Sequence, residues 1–111
     1  MIFHIVNKSD WENASDEKSY RSDSLTYEGF IHCSPLEKIP DALNNFFKGQ
    51  KDLILISIDE SKVSSVIIWE DLYGHNFEFP HIYGELNLDA VVKITEIKNG
   101  TDGIFIIPDH I

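Results

Sequence analysis

The sequence predicts a single α+β domain spanning residues 1–111, and three observations support that class. The length of 111 residues is that of one ordinary domain. Apolar residues make up 42% of the chain and aromatic residues 12%, which is enough for one packed core. Two helical patterns lie in the first half and most strand patterns follow them, an order typical of α+β domains.

The first segment, MIFHIV, is rich in β-branched and aromatic residues and predicts a strand. A helix is expected from Asp10 to about Tyr20, because Ser9 and Glu12 have the spacing of a capping box. Trp11 is the expected anchor of this helix in the core. The segment GFIHC, residues 29–33, predicts the second strand.

A second helix is expected directly after that strand. Ser34 and Glu37 have capping-box spacing, and Pro35 suits the first helical position, where no amide donor is needed. Pro40 is expected to divide a first turn from the main helix, and Gly49 to end it. The apolar positions at helical spacing are Ile39, Ala42, Leu43, Phe46 and Phe47.

The second half predicts four strands, in the segments DLILISID, SSVIIWED, DAVVKITEI and GIFIIP. Between them lies LYGHNFEFPHIYGEL, residues 72–86, which is aromatic, rich in turn residues and without a clean period. This segment is therefore expected to be irregular. The whole pattern predicts about six strands and two helices.

The charge balance is acidic, with 19 carboxylates against 9 Lys and Arg and a formal net charge of -10. This balance disfavours nucleic acid and anionic membranes as partners, because both attract a basic surface. No apolar run approaches the roughly 20 residues that span a bilayer. A single cysteine excludes an internal disulfide. We expect a cytoplasmic, reduced protein, and the sequence carries no information on oligomeric state.

Three histidines stand among apolar neighbours: His4, His32 and His81. Side chains alternate along a strand, so His4 and His32 point away from the apolar residues beside them. One interpretation is that each histidine is half buried and holds a turn through hydrogen bonds. The other is that they line one pocket. The sequence lacks the close pair spacings of a zinc site, and the six-residue separation of His75 and His81 is a weak signal, so no metal is predicted.

Cys33 and Ser34 are candidate nucleophiles with simpler structural interpretations. Adjacent strand residues point to opposite faces, so Cys33 should not bond to His32 and is expected to be a small buried hydrophobe. Ser34 is expected to cap the following helix. That helix terminus would offer amides and positive potential to a phosphate or a ribose.

Glu70 ends an apolar strand, where burial is expected to raise its pKa and suit it for acid or base chemistry. The alternative is a surface carboxylate at a strand end. Trp69 and Tyr83, with other aromatic residues nearby, could wall a pocket for a flat ring or fill the core.

Three motifs resemble one known family. The opening FHIVNKSDW, the segment GFIHCSP, and WED followed by FPHIYGEL resemble the family called domain of unknown function 952, along essentially the whole chain. That family is similar to the ADP-ribosyltransferase fold, a split pair of antiparallel β-sheets with a cleft that holds NAD. A finer likeness is to RNA 2'-phosphotransferases, whose HGT and HVHLS motifs resemble FHI and GFIHCS here.

The resemblance implies roles for the three histidines. His4 would contact the ribose on the nicotinamide side, His32 would line the same cleft, and His81 with Tyr83 would supply its third side. The basic residues that phosphotransferases use on RNA phosphate have no clear equivalents, and the net charge of -10 argues against an RNA substrate.

The sequence thus predicts a domain that binds NAD, or a related ADP-ribosyl nucleotide, in a histidine-lined cleft. Two alternatives stay open: a noncatalytic domain that binds a small nucleotide or anion, and a histidine metal-dependent hydrolase. The expected catalytic residues are His32, His81 and Glu70. The expected cofactor contacts are His4, Ser34, Trp69 and Tyr83.

Overall fold

The structure, a computed structural model, describes residues 1–100 and 104–107. The helices are α1 (Lys8–Ala14), α2 (Asp23–Tyr27) and α3 (Ile39–Phe46), with short 3-10 turns at Leu36–Lys38, Glu60–Lys62 and Leu88–Ala90. The strands are β1 (Ile2–Asn7), β2 (Ser19–Tyr20), β3 (Ile31–His32), β4 (Leu53–Ile58), β5 (Val66–Glu70), β6 (Phe79–Tyr83), β7 (Leu86–Asn87), β8 (Val91–Asn99) and β9 (Phe105–Ile106).

The described strands form three sheets: β1-β4-β8-β9, β2-β7 and β3-β6-β5. Every strand pair is antiparallel. The predicted α+β class is therefore confirmed, whereas a pair of sheets was expected and a third, two-stranded ribbon is present. The predicted strand GIFIIP is found as β9, and its first and last residues, Gly103 and Pro108, lie outside the described residues.

Strands β1 and β4 of the four-stranded sheet are buried on both faces, which explains their nearly continuous apolar runs. All six residues of β4 are buried. Along β1, Ile2 and Val6 join one core cluster, and Phe3 and Ile5 join the other, against the buried face of α3. Alternate residues of one strand thus enter two cores, so burial on both sides removes the polar alternation of a half-exposed strand.

The predicted start of α1 at Asp10, with Ser9 as its cap, is wrong by two residues, because the helix begins at Lys8. Asn7 caps the helix, and its side-chain oxygen accepts from the Ser9 amide at 2.9 Å. The helix ends at Ala14, well before the predicted Tyr20, because Asp16 accepts from following amides and starts a tight turn. The predicted Trp11 anchor is confirmed, since it packs on the core with its ring centroid 4.5 Å from that of Tyr20.

The predicted Ser34 cap is also wrong. Ser34 pairs through its backbone with Phe3, by bonds of 2.9 and 2.8 Å, and so belongs to an extended segment. The 3-10 turn begins after Pro35 without a side-chain cap. The division predicted at Pro40 is confirmed, because this turn precedes α3 and Pro40 sits in the first turn of that helix.

The segment expected to be irregular supplies the middle strand of the small sheet. Strand β6, Phe79–Tyr83, pairs with β3 on one side and β5 on the other. Pro80 and His81 interrupt the apolar pattern of this strand, and proline is rare in the middle of a sheet. Those two residues hide the strand from a period-based prediction.

We predict that Gly84→Ala destabilises the fold by about 1–3 kcal/mol through overpacking. A Cβ at position 84 would lie 2.9 Å from the Ser65 Cβ and closer still to the Ser65 hydroxyl. Urea unfolding measures the loss. In a double-mutant cycle with Ser65→Gly, the combined loss should be smaller than the sum of the single losses. Strict additivity would show that the two side chains do not collide.

Candidate functional site

The candidate site lies on one face of the three-stranded sheet. His32 of β3 is directly opposite His81 of β6. Glu70 of β5 is directly opposite Phe79, which lies two residues before His81 in β6. Directly opposed residues of antiparallel strands share a face, so His32, His81, Tyr83 and Glu70 all project to the same side. The other face of this sheet is apolar and enters the core.

His81 is the buried centre of this face. Its Nδ1 lies 2.8 Å from a Glu70 carboxylate oxygen, and the Tyr83 hydroxyl donates to the same oxygen. The His81 side chain is only 3% exposed, whereas that of Glu70 is 20% exposed. Phe30 stacks on the His81 ring with centroids 4.1 Å apart and an angle of 18°. Stacking and pairing together fix the imidazole in one orientation.

His32 carries a second array of the same kind. Its Nε2 lies 3.1 Å from one Glu28 carboxylate oxygen, and the Tyr73 hydroxyl donates to the other at 2.5 Å. The side chains of His32 and Glu28 are 43% and 40% exposed. The two imidazoles are edge to face with centroids 5.5 Å apart. The site therefore contains two tyrosine–carboxylate–histidine arrays side by side.

Both carboxylates are held in the ionised form. The hydrogen bond from Tyr83, and next that from His81, lowers the pKa of Glu70. The hydrogen bonds from Tyr73 and His32 lower the pKa of Glu28 in the same way. The sequence-based expectation that burial raises the pKa of Glu70 is therefore wrong, because donors surround a carboxylate that is still partly exposed.

Ionised carboxylates only accept hydrogen bonds, and this fixes the hydrogens on both imidazoles. His81 donates from Nδ1 and His32 donates from Nε2. In the neutral form the other nitrogen of each ring is an acceptor, and neither bonds to another side chain or backbone group within the described residues. The face thus offers two candidate general bases beside two negative charges.

His4 does not join these two rings. It is 7% exposed and lies on the core face of β1 with Ile2 and Val6. Its Nδ1 donates to the His32 carbonyl at 2.6 Å, and its Nε2 accepts from the Tyr20 hydroxyl at 2.8 Å. Burial lowers the pKa of His4 to about 4. Neither ring nitrogen is left for a ribose, so the expected ribose contact by His4 is wrong in this arrangement.

Trp69 also lies away from the site. It is paired with Pro80 and so projects to the face opposite His81. Its indole N–H donates to a Glu60 carboxylate oxygen at 2.8 Å. The structure therefore does not bring Trp69 to the face that carries His81, whereas Tyr83 projects to that face; the expected cofactor contact of each residue stays a prediction.

Ser34 supplies no anion site. Both its backbone groups bond to Phe3, and the turn that follows is a three-residue 3-10 turn rather than a long helix. Cys33 is buried at 4% exposure, and burial raises the pKa of its thiol. Its predicted role as a small core residue is confirmed.

Glu28 and Phe30 are site residues that the sequence did not single out. Glu28 precedes His32 by four residues, a spacing without special meaning outside a helix. Phe30 lies next to the buried Ile31 at the start of a short strand. Both meet the histidines only because the chain turns between α2 and β3. The i, i+4 spacing was the only available signal, and it was weak.

No group of three or more histidine, cysteine, aspartate or glutamate side chains within residues 1–100 and 104–107 is arranged to hold a metal ion. In the same part of the chain, no helix is long and apolar enough to cross a membrane.

Comparison with known proteins assigns this chain to a family. The chain belongs to the family described as protein of unknown function, DUF952, whose model matches residues 5–94. No curated protein matches the sequence.

Solved structures of one relative share the whole fold. The crystal structure of protein CC0527 from Caulobacter crescentus is 26% identical, with a TM-score of 0.85 over 98% of this chain and 96% of that chain. A double mutant of the same protein gives the same values. Its solution NMR structure is similar with a TM-score of 0.78 over 93% of this chain and 89% of that chain.

We predict that buried His4 makes stability depend on pH above the range where carboxylates titrate. Its pKa falls from 6.5 in the unfolded chain to about 4 in the fold, so the unfolded state binds more protons as the pH drops. The contribution is complete above about pH 6.5 and is lost towards pH 4. Between about pH 7 and pH 5 the wild type should lose about 2 kcal/mol more than His4→Gln.

Urea unfolding at several pH values measures this difference. The matched control is His75→Gln, which removes an exposed imidazole and keeps His4 in place, so the loss of stability caused by His4 should persist. Equal slopes for His4→Gln and the wild type would contradict a neutral, buried His4.

Proposed function

We propose that the face carrying His32 and His81 binds the nicotinamide riboside portion of NAD, or of a related ADP-ribosyl nucleotide, and catalyses cleavage of its glycosidic bond. The observation that supports this most is the pair of tyrosine–carboxylate–histidine arrays around Phe30. Each array combines an ionised carboxylate with an oriented imidazole.

The charge of the site fits the cationic pyridinium ring of NAD. Glu28 and Glu70 are both ionised and lie beside aromatic side chains, an environment that favours a flat cation. Tyr73 and Tyr83 are 55% and 36% exposed, so their rings are accessible to a ligand. An uncharged ring in the same position would gain less binding free energy from the two carboxylates.

The same groups support a cleavage step. The bond between the nicotinamide nitrogen and the ribose C1' breaks, and its electron pair goes to the nitrogen, which becomes neutral. The sugar becomes cation-like, and the Glu70 carboxylate would stabilise that charge. An acceptor hydroxyl or water then bonds to C1' and gives its proton to the free ring nitrogen of a neutral imidazole, His32 or His81.

The resemblance of FHI and GFIHCS to motifs of RNA 2'-phosphotransferases supports the same ligand class. In this proposal His4 has a changed role. It holds the backbone of His32 through a 2.6 Å hydrogen bond and does not touch the ribose.

A noncatalytic binding domain is the second candidate. Each carboxylate already accepts hydrogen bonds from two donors that fix its position, and this rigid negative charge supports recognition of a cation without turnover. Mass spectrometry of NAD incubated with the protein separates the two candidates, because only a catalyst releases nicotinamide.

We predict that the wild type binds NAD and that His32→Ala abolishes binding, because it removes both a ring contact and the partner of Glu28. Isothermal titration calorimetry or ligand-observed NMR measures this. Val92→Ala is the matched control, since Val92 is 57% exposed on β8 of the four-stranded sheet and belongs to neither array. No binding to the wild type at millimolar NAD would overturn the proposal.

We predict that Glu70→Gln slows nicotinamide release by about 10²–10³-fold, as expected when one transition-state charge partner is removed. Release is followed by chromatography with saturating NAD. Glu85→Gln is the control, because Glu85 is exposed just after β6 and its carboxylate takes no part in the arrays. Equal rates for Glu70→Gln and the wild type would remove Glu70 from the mechanism.

A further inference from the structure

The two carboxylates of the site create a problem for a phosphorylated ligand, because they repel phosphate. Glu28 and Glu70 both have lowered pKa values and stay ionised. Phosphate recognition therefore needs a cation at some distance from both arrays. The chain has only 9 Lys and Arg residues in all, so few side chains are available.

Lys38 lies beside the loop that flanks the site. Its Nζ is 4.4 Å from the centroid of the Phe77 ring, and the Phe77 and Phe79 centroids are 5.1 Å apart. Phe79 is directly opposite Glu70 and so belongs to the face that carries the site. One ring, Phe77, thus links Lys38 to that face.

A second line of contacts joins the same loop to His32. The ring of Tyr73 is stacked on that of His32 with centroids 6.4 Å apart, and His75 is 6.1 Å from Tyr73 and 6.4 Å from Phe79. The rings therefore form a continuous row that leads from His32 to the phenylalanines under Lys38. An elongated ligand could lie along this row with a base at one end and a phosphate at the other.

Lys38 is suited to receive an anion from this direction. Within the described residues no carboxylate lies within ion-pair distance of its ammonium. Lys38 is half-buried, and a cation–π contact of this kind contributes only about 0.5–2 kcal/mol. Its N–H groups can then donate to phosphate oxygens, and the bond gains strength because both partners are charged.

We propose that Lys38 recognises the phosphate of the ligand, so that the site takes a nucleotide in preference to the corresponding nucleoside. This assignment rests on the proposed function, and it makes Lys38 a specificity-determining residue.

The test compares nicotinamide riboside with nicotinamide mononucleotide, which differ by one phosphate. Calorimetry gives the Kd of each for the wild type, for Lys38→Met and for Lys48→Met. Methionine keeps an aliphatic stem over Phe77, and Lys48 is an exposed lysine whose loss changes the net charge equally. The Kd of the mononucleotide should rise about tenfold in Lys38→Met alone, and the Kd of the riboside should not change.

Other results overturn the proposal in distinguishable ways. Suppose that the wild type binds both ligands. If Lys38→Met then changes the Kd of the two ligands equally, or changes neither, the role of Lys38 is overturned and the proposed function stands. Binding of neither ligand by the wild type overturns the proposed function and the role of Lys38 with it. An equal loss of mononucleotide affinity in Lys48→Met would reduce the effect to net charge.

Discussion

The register between β3 and β6 is the constraint on which the site depends. Strand side chains alternate, so a slip of one residue would turn His32 into the core and bring Ile31 to the surface. Strand β3 has only two residues in this pairing, which is too short to fix its own register. Contacts outside the ladder supply the rest.

Those contacts lie at the carboxyl end of β3. Cys33 donates its amide to the Pro80 carbonyl at 3.1 Å and extends the pairing with β6 by one bond. The His4 ring holds the His32 carbonyl from the large sheet, and Ser34 is paired with Phe3 of the same sheet. The small sheet is thus positioned by the large one. A change in β1 that displaced His4 or Phe3 would therefore also displace His32.

The sequence revealed the parts of the fold that local chemistry decides. Buried strands such as β4 and the amphipathic α3 were predictable, because their burial imposes an apolar run or a helical period. Strand β6 was not predictable, because Pro80 breaks its pattern and only its two neighbouring strands make it regular. Both predicted helix caps were wrong. Asn7 and not Ser9 caps α1, and Ser34 lies in an extended segment that pairs with Phe3.

The site was predictable in part, for a related reason. The position of His32 and His81 among apolar neighbours singled them out, and pairing across the sheet brings them together. The same pattern singled out His4, whose surroundings differ because β1 is covered on both faces. Sequence alone cannot distinguish a histidine between two cores from a histidine on an open face. Glu28 reaches the site through a turn that has no periodic signature.

Burial and pairing act in opposite directions on the charged groups around this site. His4 is kept neutral by burial, whereas Glu70 is kept ionised because Tyr83 and His81 donate to it. An electrically neutral support therefore stands behind a negatively charged face.

The position of Cys33 gives this architecture a built-in reporter. It is the one sulfhydryl of the chain, it follows His32 directly, and it is 4% exposed with a raised thiol pKa. An alkylating reagent needs both access and thiolate, and the folded sheet denies it both. The rate at which such a reagent modifies the protein therefore measures how often β3 separates from β6, and with it how long the two imidazoles stay together.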